Sequence, residues 1–231
     1  MTITILTLFP QMFSGPFDYS IVKRALEKKS VKINIVDIRN FGLGSHKSVD
    51  DTPYGGGKGM ILRVDVLEKT IDSVKKNVKG ERIILLSPQG KTYNQKKAKQ
   101  FSTLDHLIII CGHYEGVDER ISKFIDEKIS VGDFILTGGE IPAMLIVDSV
   151  IRLIKGVLKE EVTASESFPD LLEYPQYTKP AIYKGYSVPE ILLSGNHKKI
   201  EEYRKKESIR LTKKIRPDLF KKETEQQTSK H

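Results

Sequence analysis

Two glycine-bearing stretches lie about twenty residues apart, and each follows a short apolar run. They read CGHYEG at residues 111–116 and VGDFILTGGEIPA at residues 131–143. Glycine weakens strands and helices, so its repeated use here indicates a close backbone approach to a ligand or a positive φ. Neither stretch is a Gly-x-Gly-x-x-Gly fingerprint or a Gly-Lys-Ser/Thr phosphate loop. Each alone could be a tight turn of an α/β domain, but together they predict a binding site built from loop backbones.

The elements that would position these stretches alternate between strand and helix. Apolar runs typical of buried parallel strands occupy residues 3–8, 32–38, 82–86, 107–111 and 128–131. Helical patterns occupy residues 20–29, 64–77, 94–102 and 118–124, and a longer helix is predicted to begin at Pro142. This alternation predicts an α/β fold, with a mostly parallel sheet covered by helices on both faces. Ligands of such sheets bind at the carboxyl ends of the strands, where both glycine stretches fall.

Composition limits the class of protein. With 231 residues, 29% of them charged and 39% hydrophobic, the chain matches ordinary globular proteins. No apolar run approaches the ~18 residues that span a bilayer, so we expect no membrane partner. The single cysteine, Cys111, excludes an internal disulfide and fits a reducing, cytoplasmic location. The five histidines are scattered without ligand spacing, so we expect no metal site.

The positive charge is concentrated near the carboxyl end. The formal net charge is +8, and residues 197–222 hold eleven Lys/Arg against four Asp/Glu. A solvated basic helix would explain this segment, but a localised excess of this size is also typical of a phosphate-backbone partner. We expect three parts: an α/β domain at 1–158, a polar linker at 159–172, and a small, basic, helical domain at 173–231 whose tail from Lys221 is disordered.

Further segments reveal a family resemblance. They cover residues 7–13, 49–60, 86–90, 171–180 and 192–197, in addition to the two glycine stretches. In this order they resemble the bacterial tRNA (guanine-37-N1)-methyltransferases of the SPOUT, or trefoil-knot, class. The resemblance extends from residue 1 to about residue 218. It implies a homodimer with a deep trefoil knot, whose S-adenosylmethionine pocket is completed by the partner subunit. Pattern reasoning alone would not propose a knot.

The resemblance also implies roles for particular residues. Loops would hold the S-adenosylmethionine cofactor through Leu86, Ser87, Pro88, Gly112, Glu115, Val131, Gly132, Asp133, Phe134, Ile135, Leu136, Gly138, Gly139 and Pro142. The tRNA would be contacted by Asp50, Tyr54, Gly55, Gly56, Asn196 and His197. Two of these residues have an equally good local explanation, because Asp133 could cap a turn and Asn196 could cap a helix.

The implied reaction is methyl transfer to N1 of guanosine 37 in the anticodon loop. Guanine N1 carries a proton, so a carboxylate must remove it while a cation stabilises charge on O6. The matching positions are Glu166 for the base and Arg152 for the cation. Family members carry aspartate where this chain has Glu166, which leaves the placement of this carboxylate open. Without the resemblance, Glu166 would be a solvated linker residue and Arg152 an exposed helix arginine.

Two other functions compete with this interpretation. One is an enzyme of the same knotted class that modifies another nucleotide, such as a ribose or a ribosomal RNA. The PYGGG loop at residues 53–57 and the LLSGNH segment at residues 192–197 disfavour it. The other is a non-catalytic RNA-binding protein that retains an old cofactor fold, which the substitution at Glu166 would permit.

Overall fold

The computed structural model describes residues 1–159, 167 and 171–220. The chain divides into two compact units, Met1–Lys159 and Glu160–His231. Glu166, most of the linker expected at residues 159–172 and the tail from Lys221 lie outside the described residues. No helix in the described ranges is both long and apolar enough to cross a membrane.

The first unit is built on a five-stranded, fully parallel sheet. In chain order the strands of the described residues are β1 Thr2–Thr7, β2 Lys32–Asp37, β3 Asp50–Asp51, β4 Ile61–Leu62, β5 Glu81–Thr92, β6 His106–Cys111, β7 Glu127–Ser130, β8 Ile182–Tyr183 and β9 Tyr186–Ser187. The order in the five-stranded sheet is β2-β1-β6-β5-β7. Strand β6 lies at the centre, and all six of its residues are buried. Its apolar run therefore has the composition of a strand that is covered on both faces.

The α-helices of the described residues are α1 Ser20–Glu27, α2 Val64–Val74, α3 Gln95–Phe101, α4 Glu140–Ile151, α5 Glu190–Leu193 and α6 His197–Ile215. The segment predicted as a helix at residues 118–124 is instead a 3₁₀ helix, Glu119–Lys123. Helix α4 begins two residues before Pro142, which lies in its first turn. A proline is tolerated there because the first amides of a helix have no intrahelical partner.

Two hydrophobic clusters cover the two faces of the sheet. On one face, Ile109 and other strand residues pack with α1, α3 and α4 through residues such as Ala25, Phe101 and Val147. On the other face, Ile108 and Ile110 pack with α2 through residues such as Leu67. Successive side chains of a strand point to opposite faces, so β6 contributes alternately to both clusters. The predicted α/β fold with helices on both faces is confirmed.

The second unit has less regular structure. Strands β8 and β9 form a short antiparallel hairpin. Helix α6 is capped by Asn196, whose side chain accepts a hydrogen bond from the Lys199 amide at 3.1 Å. The buried Thr212 of α6 accepts a hydrogen bond from the Leu172 amide at 2.9 Å. The chain around Leu172 is thereby fixed to α6.

Candidate cofactor site

A cavity of about 480 Å³ lies at the carboxyl ends of β5, β6 and β7. Thirteen of the fourteen residues expected to bind the cofactor line it: Leu86, Ser87, Pro88, Gly112, Glu115, Val131, Gly132, Phe134, Ile135, Leu136, Gly138, Gly139 and Pro142. Asp133 is exposed and does not belong to this lining. Segments that are distant in sequence thus converge on one cavity, which we call the cofactor pocket.

A detour in β5 forms one wall of the cofactor pocket. The apolar run that predicts this strand ends at Leu86, but β5 continues to Thr92. Leu86 pairs with Ile129 of β7, the register then shifts, and Lys91 pairs with the same residue. The residues between them loop out of the register, and Ser87, Pro88 and Gln89 line the pocket. Proline and glycine normally end a strand, so the pattern could not predict that pairing resumes.

The two glycine stretches touch each other. The Gly139 amide donates a hydrogen bond to the carbonyl oxygen of Gly112 at 2.8 Å. A Cβ atom at Gly139 would lie 2.6 Å from Cα of Cys111, a distance that real Cβ atoms do not show. Only glycine allows this approach of two backbones. The contact joins the end of β6 to the start of α4.

A buried acidic residue follows the glycine pair. Glu140 is the first residue of α4, and its Oε1 accepts a hydrogen bond from the hydroxyl of Thr7 at 2.7 Å. Both side chains are buried. Burial, together with the neighbouring Glu140, raises the pKa of the Cys111 thiol well above its usual value. Sequence reasoning missed Glu140, although a glutamate at the start of an apolar helix is a signal that could have found it.

His113 is a second residue of this region that sequence reasoning missed. It lines the cofactor pocket, and its ring packs against the rings of Phe9 and Tyr114. Its Nδ1 atom is buried and has no hydrogen-bond partner among the described residues. A Cβ atom at Gly138 would lie 2.7 Å from this nitrogen and would overlap Oε2 of Glu140. His113 is therefore in close contact with the glycine loop.

The glycine-rich loop at residues 52–60 adjoins the edge of the pocket through Glu115. The Glu115 amide donates a hydrogen bond to the Met60 carbonyl at 3.0 Å. Gly59 has a φ of +78°, and a Cβ atom there would overlap Cγ of Glu115. Two of the expected RNA-contacting residues lie in or just before this loop: Asp50 is in β3, and Tyr54 is 98% exposed. Asp50, Tyr54, Gly55 and Gly56 are not part of the pocket lining.

An ion pair lies at the edge of the cofactor pocket. Nζ of Lys128 contacts Oε2 of Glu119 at 2.6 Å, and both residues belong to the lining. The hydrogen bond from Lys128 lowers the pKa of the Glu119 carboxyl. Neither residue was singled out from the sequence, where charged residues of this kind are typical of any solvated surface.

The structure does not bring together all of the predicted site. Arg152 directly follows α4, is half-buried, and lies outside the lining of the cofactor pocket. Its amide donates a hydrogen bond to the Asp148 carbonyl. Asn196 and His197 are exposed at the start of α6 in the second unit. The catalytic roles of Arg152 and Glu166 stay predictions.

The chain is similar to known proteins over nearly its whole length. Residues 1–222 match the family model described as tRNA (Guanine-1)-methyltransferase TrmD. Three relatives are each called tRNA (guanine-N(1)-)-methyltransferase. The protein of Clostridium botulinum is 55% identical over 96% of this chain and 92% of its own length. Those of Carboxydothermus hydrogenoformans and Geobacillus kaustophilus are each 54% identical, over 96% and 95% of this chain and 88% and 91% of their own lengths. The chain belongs to the tRNA (guanine-1)-methyltransferase family.

Proposed function

We propose that this chain transfers a methyl group from S-adenosylmethionine to N1 of guanosine 37 in the anticodon loop of tRNA. The observation that carries the proposal is the convergence of the two glycine stretches and the β5 detour on one pocket, in a chain whose family methylates tRNA guanine at N1. The methyl-transferring activity follows from the family. The donor and the target position are our additions.

The residues of the cofactor pocket fit this donor. Its volume of about 480 Å³ lies in the range of small-molecule sites. Loop backbones at the glycine stretches supply amide and carbonyl groups for a planar base, and Leu86, Ile129 and Pro142 supply apolar contact. Glu115 supplies a carboxylate at the same edge. When bound, S-adenosylmethionine would supply a methyl group on a positively charged sulfur.

The proposed chemistry is a single displacement. S-adenosylmethionine held in the cofactor pocket would supply the methyl carbon to guanine N1, and its sulfur would leave without charge. The Glu166 carboxylate accepts the N1 proton, and the Arg152 guanidinium stabilises negative charge that develops on guanine O6. Alignment of the two reactants supplies much of the acceleration in reactions of this kind.

A homodimer is part of the proposal, and α4 supports it. This helix is apolar on nearly all sides, which is typical of a helix that is covered all round. Two of its apolar residues one turn apart, Ile141 and Leu145, are 53% and 46% exposed. A second copy packed on this face would bury them. In this arrangement Glu166 of one protomer serves the pocket of its partner.

The basic helix α6 is proposed to bind the phosphates of the tRNA. Asn196 and His197, at the start of this helix, are proposed to contact the same RNA. The residues proposed to lie beside the target guanosine are Asp50, Tyr54, Gly55 and Gly56. The eleven Lys/Arg of residues 197–222 support this. The proposal retains the trefoil knot at the cofactor pocket, the linker at 159–172 and a cytoplasmic location.

The test is methyl transfer with purified full-length protein, labelled S-adenosylmethionine and tRNA transcripts that carry guanine or another base at position 37. Label that enters only the guanine transcript supports the proposal. A transcript that is bound but never labelled would identify a non-catalytic RNA-binding protein. Affinity for tRNA should also fall steeply with added salt, and a flat dependence would contradict the role given to α6.

A further inference from the structure

The second unit contains a cavity of its own, which the proposed function does not use. Its volume is about 310 Å³. Its lining includes Tyr174, Tyr177, Lys179, Leu192, Ile200 and Arg204. We call this cavity the tyrosine cleft. All of them belong to the unit Glu160–His231, so the cleft is complete within one part of the chain.

The tyrosine cleft presents flat surfaces. The guanidinium carbon of Arg204 lies 4.8 Å from the ring centroid of Tyr174, so that a planar cation covers one aromatic face. Tyr177 lines the same cleft and is 48% exposed, so part of its ring is free to be covered. Leu192 and Ile200 add apolar contacts. Planar aromatic and guanidinium surfaces are those on which unpaired nucleobases stack.

The charge of the cleft has one sign. Lys179 and Arg204 are its two charged lining residues, and both are cationic. Residues 171–220 as a whole contain eleven Lys/Arg against six Asp/Glu. The ligand should therefore be anionic as well as planar. A volume at the lower end of ligand sites suits a single small group better than a helix or an extended peptide.

We infer that the tyrosine cleft binds one unpaired nucleotide of the RNA substrate, other than the one that is methylated. Its base stacks on Tyr177 and the Arg204 guanidinium, and its phosphate faces Lys179. This inference rests on the proposed function, because it takes the RNA to be a tRNA whose anticodon loop supplies unpaired bases. A stacked, unpaired base lets the protein distinguish an RNA loop from a helical stem. Phosphate contacts along α6 alone could not make this distinction.

The test compares Tyr177→Ala with Tyr177→Phe in the full-length protein, and measures the tRNA dissociation constant over a series of salt concentrations. Loss of a stacked base should raise that constant on the order of tenfold at each salt concentration. The slope of the logarithm of tRNA affinity against the logarithm of salt concentration should not change, because no phosphate contact is removed. The phenylalanine keeps the ring and should bind like the unchanged protein. Equal binding by all three proteins, or equal loss in both variants, would overturn the inference.

A lysine variant supplies the matched control. Lys199→Ala removes an exposed cation from α6 and should lower the salt slope by about one, whereas Tyr177→Ala should not. S-adenosylmethionine affinity should stay unchanged in all of these variants. If Tyr177→Ala lowers the salt slope as Lys199→Ala does, the cleft holds a phosphate without a stacked base, and the inference is wrong.

A photo-crosslink tests the site without any substitution. With tRNA that carries a photoreactive uridine at single loop positions, the crosslinked peptide should contain residues 174–179. Crosslinks confined to α6 residues outside the cleft would overturn the inference, and so would a cleft covered by a second protein copy in the tRNA-bound complex. These binding measurements do not need methyl transfer. Failure of the proposed function would instead appear as absent label on the guanine 37 transcript, whatever the cleft binds.

Discussion

The hydroxyl of Thr7 donates a hydrogen bond to the carboxyl group of Glu140 at 2.7 Å, although 133 residues separate the two in sequence. The same hydroxyl oxygen accepts a hydrogen bond from the Phe9 amide at 2.9 Å. Thr7 ends β1, and Glu140 begins α4 directly after the glycine pair of the cofactor pocket. This buried pair therefore fixes the start of α4, and with it the glycine loop, to the sheet.

Thr7→Val should destabilise the protein. Valine has a similar shape but no hydroxyl, so Oε1 of the buried Glu140 loses its donor. Leaving a buried hydrogen-bonding group without its partner costs about 1–3 kcal/mol. The midpoint of denaturant unfolding measures the loss, and S-adenosylmethionine affinity should fall with it. Thr7→Ser keeps the hydroxyl and serves as the control; a valine variant as stable as the serine variant would contradict the role of the pair.

Gly59→Ala should weaken S-adenosylmethionine binding. The new Cβ atom would overlap Glu115 of the pocket edge, in addition to the cost of about 1–2 kcal/mol for a left-handed backbone with a side chain. Gly44→Ala is matched in conformation, with a φ of +67°, but a Cβ atom there has open space around it. Calorimetric titration of both variants with S-adenosylmethionine separates the overlap with Glu115 from the cost of the left-handed backbone. Equal affinities would mean that the contact with Glu115 does not matter.

Glu166→Gln should lower the methyl-transfer rate by at least a hundredfold, because the amide cannot accept the N1 proton. Affinity for S-adenosylmethionine should stay near that of the unchanged protein. Single-turnover measurements with tRNA isolate the chemical step. Glu166→Asp, which shortens the side chain by one methylene, tests whether the longer side chain is placed correctly. An unchanged single-turnover rate in the glutamine variant would remove Glu166 from the mechanism.

Arg152→Ala should lower the rate of the chemical step more than it lowers cofactor affinity, since the proposed contact with guanine O6 strengthens in the transition state. Arg152→Lys keeps the charge but loses the planar fork and should recover the rate only in part. The comparison uses single-turnover rates and the S-adenosylmethionine dissociation constant. A collapse of cofactor affinity alone would show that Arg152 acts on the donor and not on the guanine.

Stability should fall on acidification through Glu81. Its carboxyl accepts hydrogen bonds from the Lys76 and Asn77 amides and lies 2.7 Å from Nδ1 of the buried His106. Burial alone would raise the pKa of Glu81, but these hydrogen bonds outweigh it and lower the pKa below 4.5. A lowered pKa in the folded state stabilises the fold above pH 4.5, and this contribution is lost as the pH falls through the folded value.

Denaturant unfolding of the unchanged protein and of Glu81→Gln, at several pH values between 7 and 3, tests this expectation. The unchanged protein should lose stability more steeply than the variant below about pH 4.5. Parallel curves would show that Glu81 does not carry the effect.

Much of the sheet could be predicted from the sequence because parallel buried strands are continuous apolar runs. Strand β6 was placed within one residue of its observed start, and β2 within one residue of its end. The detour of β5 could not be predicted, since its resumed pairing at Lys91 depends on β7 and not on local propensity. The short strands β3, β4, β8 and β9 have two residues each, which leaves no periodicity to recognise.

The pocket was predictable where glycine marks a backbone approach, as at Gly112 and Gly139, which are hydrogen-bonded to each other. His113 was missed because nothing local separates a site residue from a structural one at that position, whereas Glu140 carries a local signal as an acidic residue at the start of an apolar helix. The alternative of a helix cap was correct for Asn196, whose side chain caps α6. Any contact of the same residue with RNA stays a prediction.

The hydrogen bond between Leu172 and Thr212 limits how far Glu166, the proposed base, can lie from α6. Six peptide units separate Glu166 from Leu172, and a fully extended chain of that length reaches about 22 Å. The Cα atom of Glu166 therefore lies within that distance of the Cα atom of Leu172. The residue proposed as the base is therefore tethered, by a segment of limited length, to the helix that is proposed to hold the RNA.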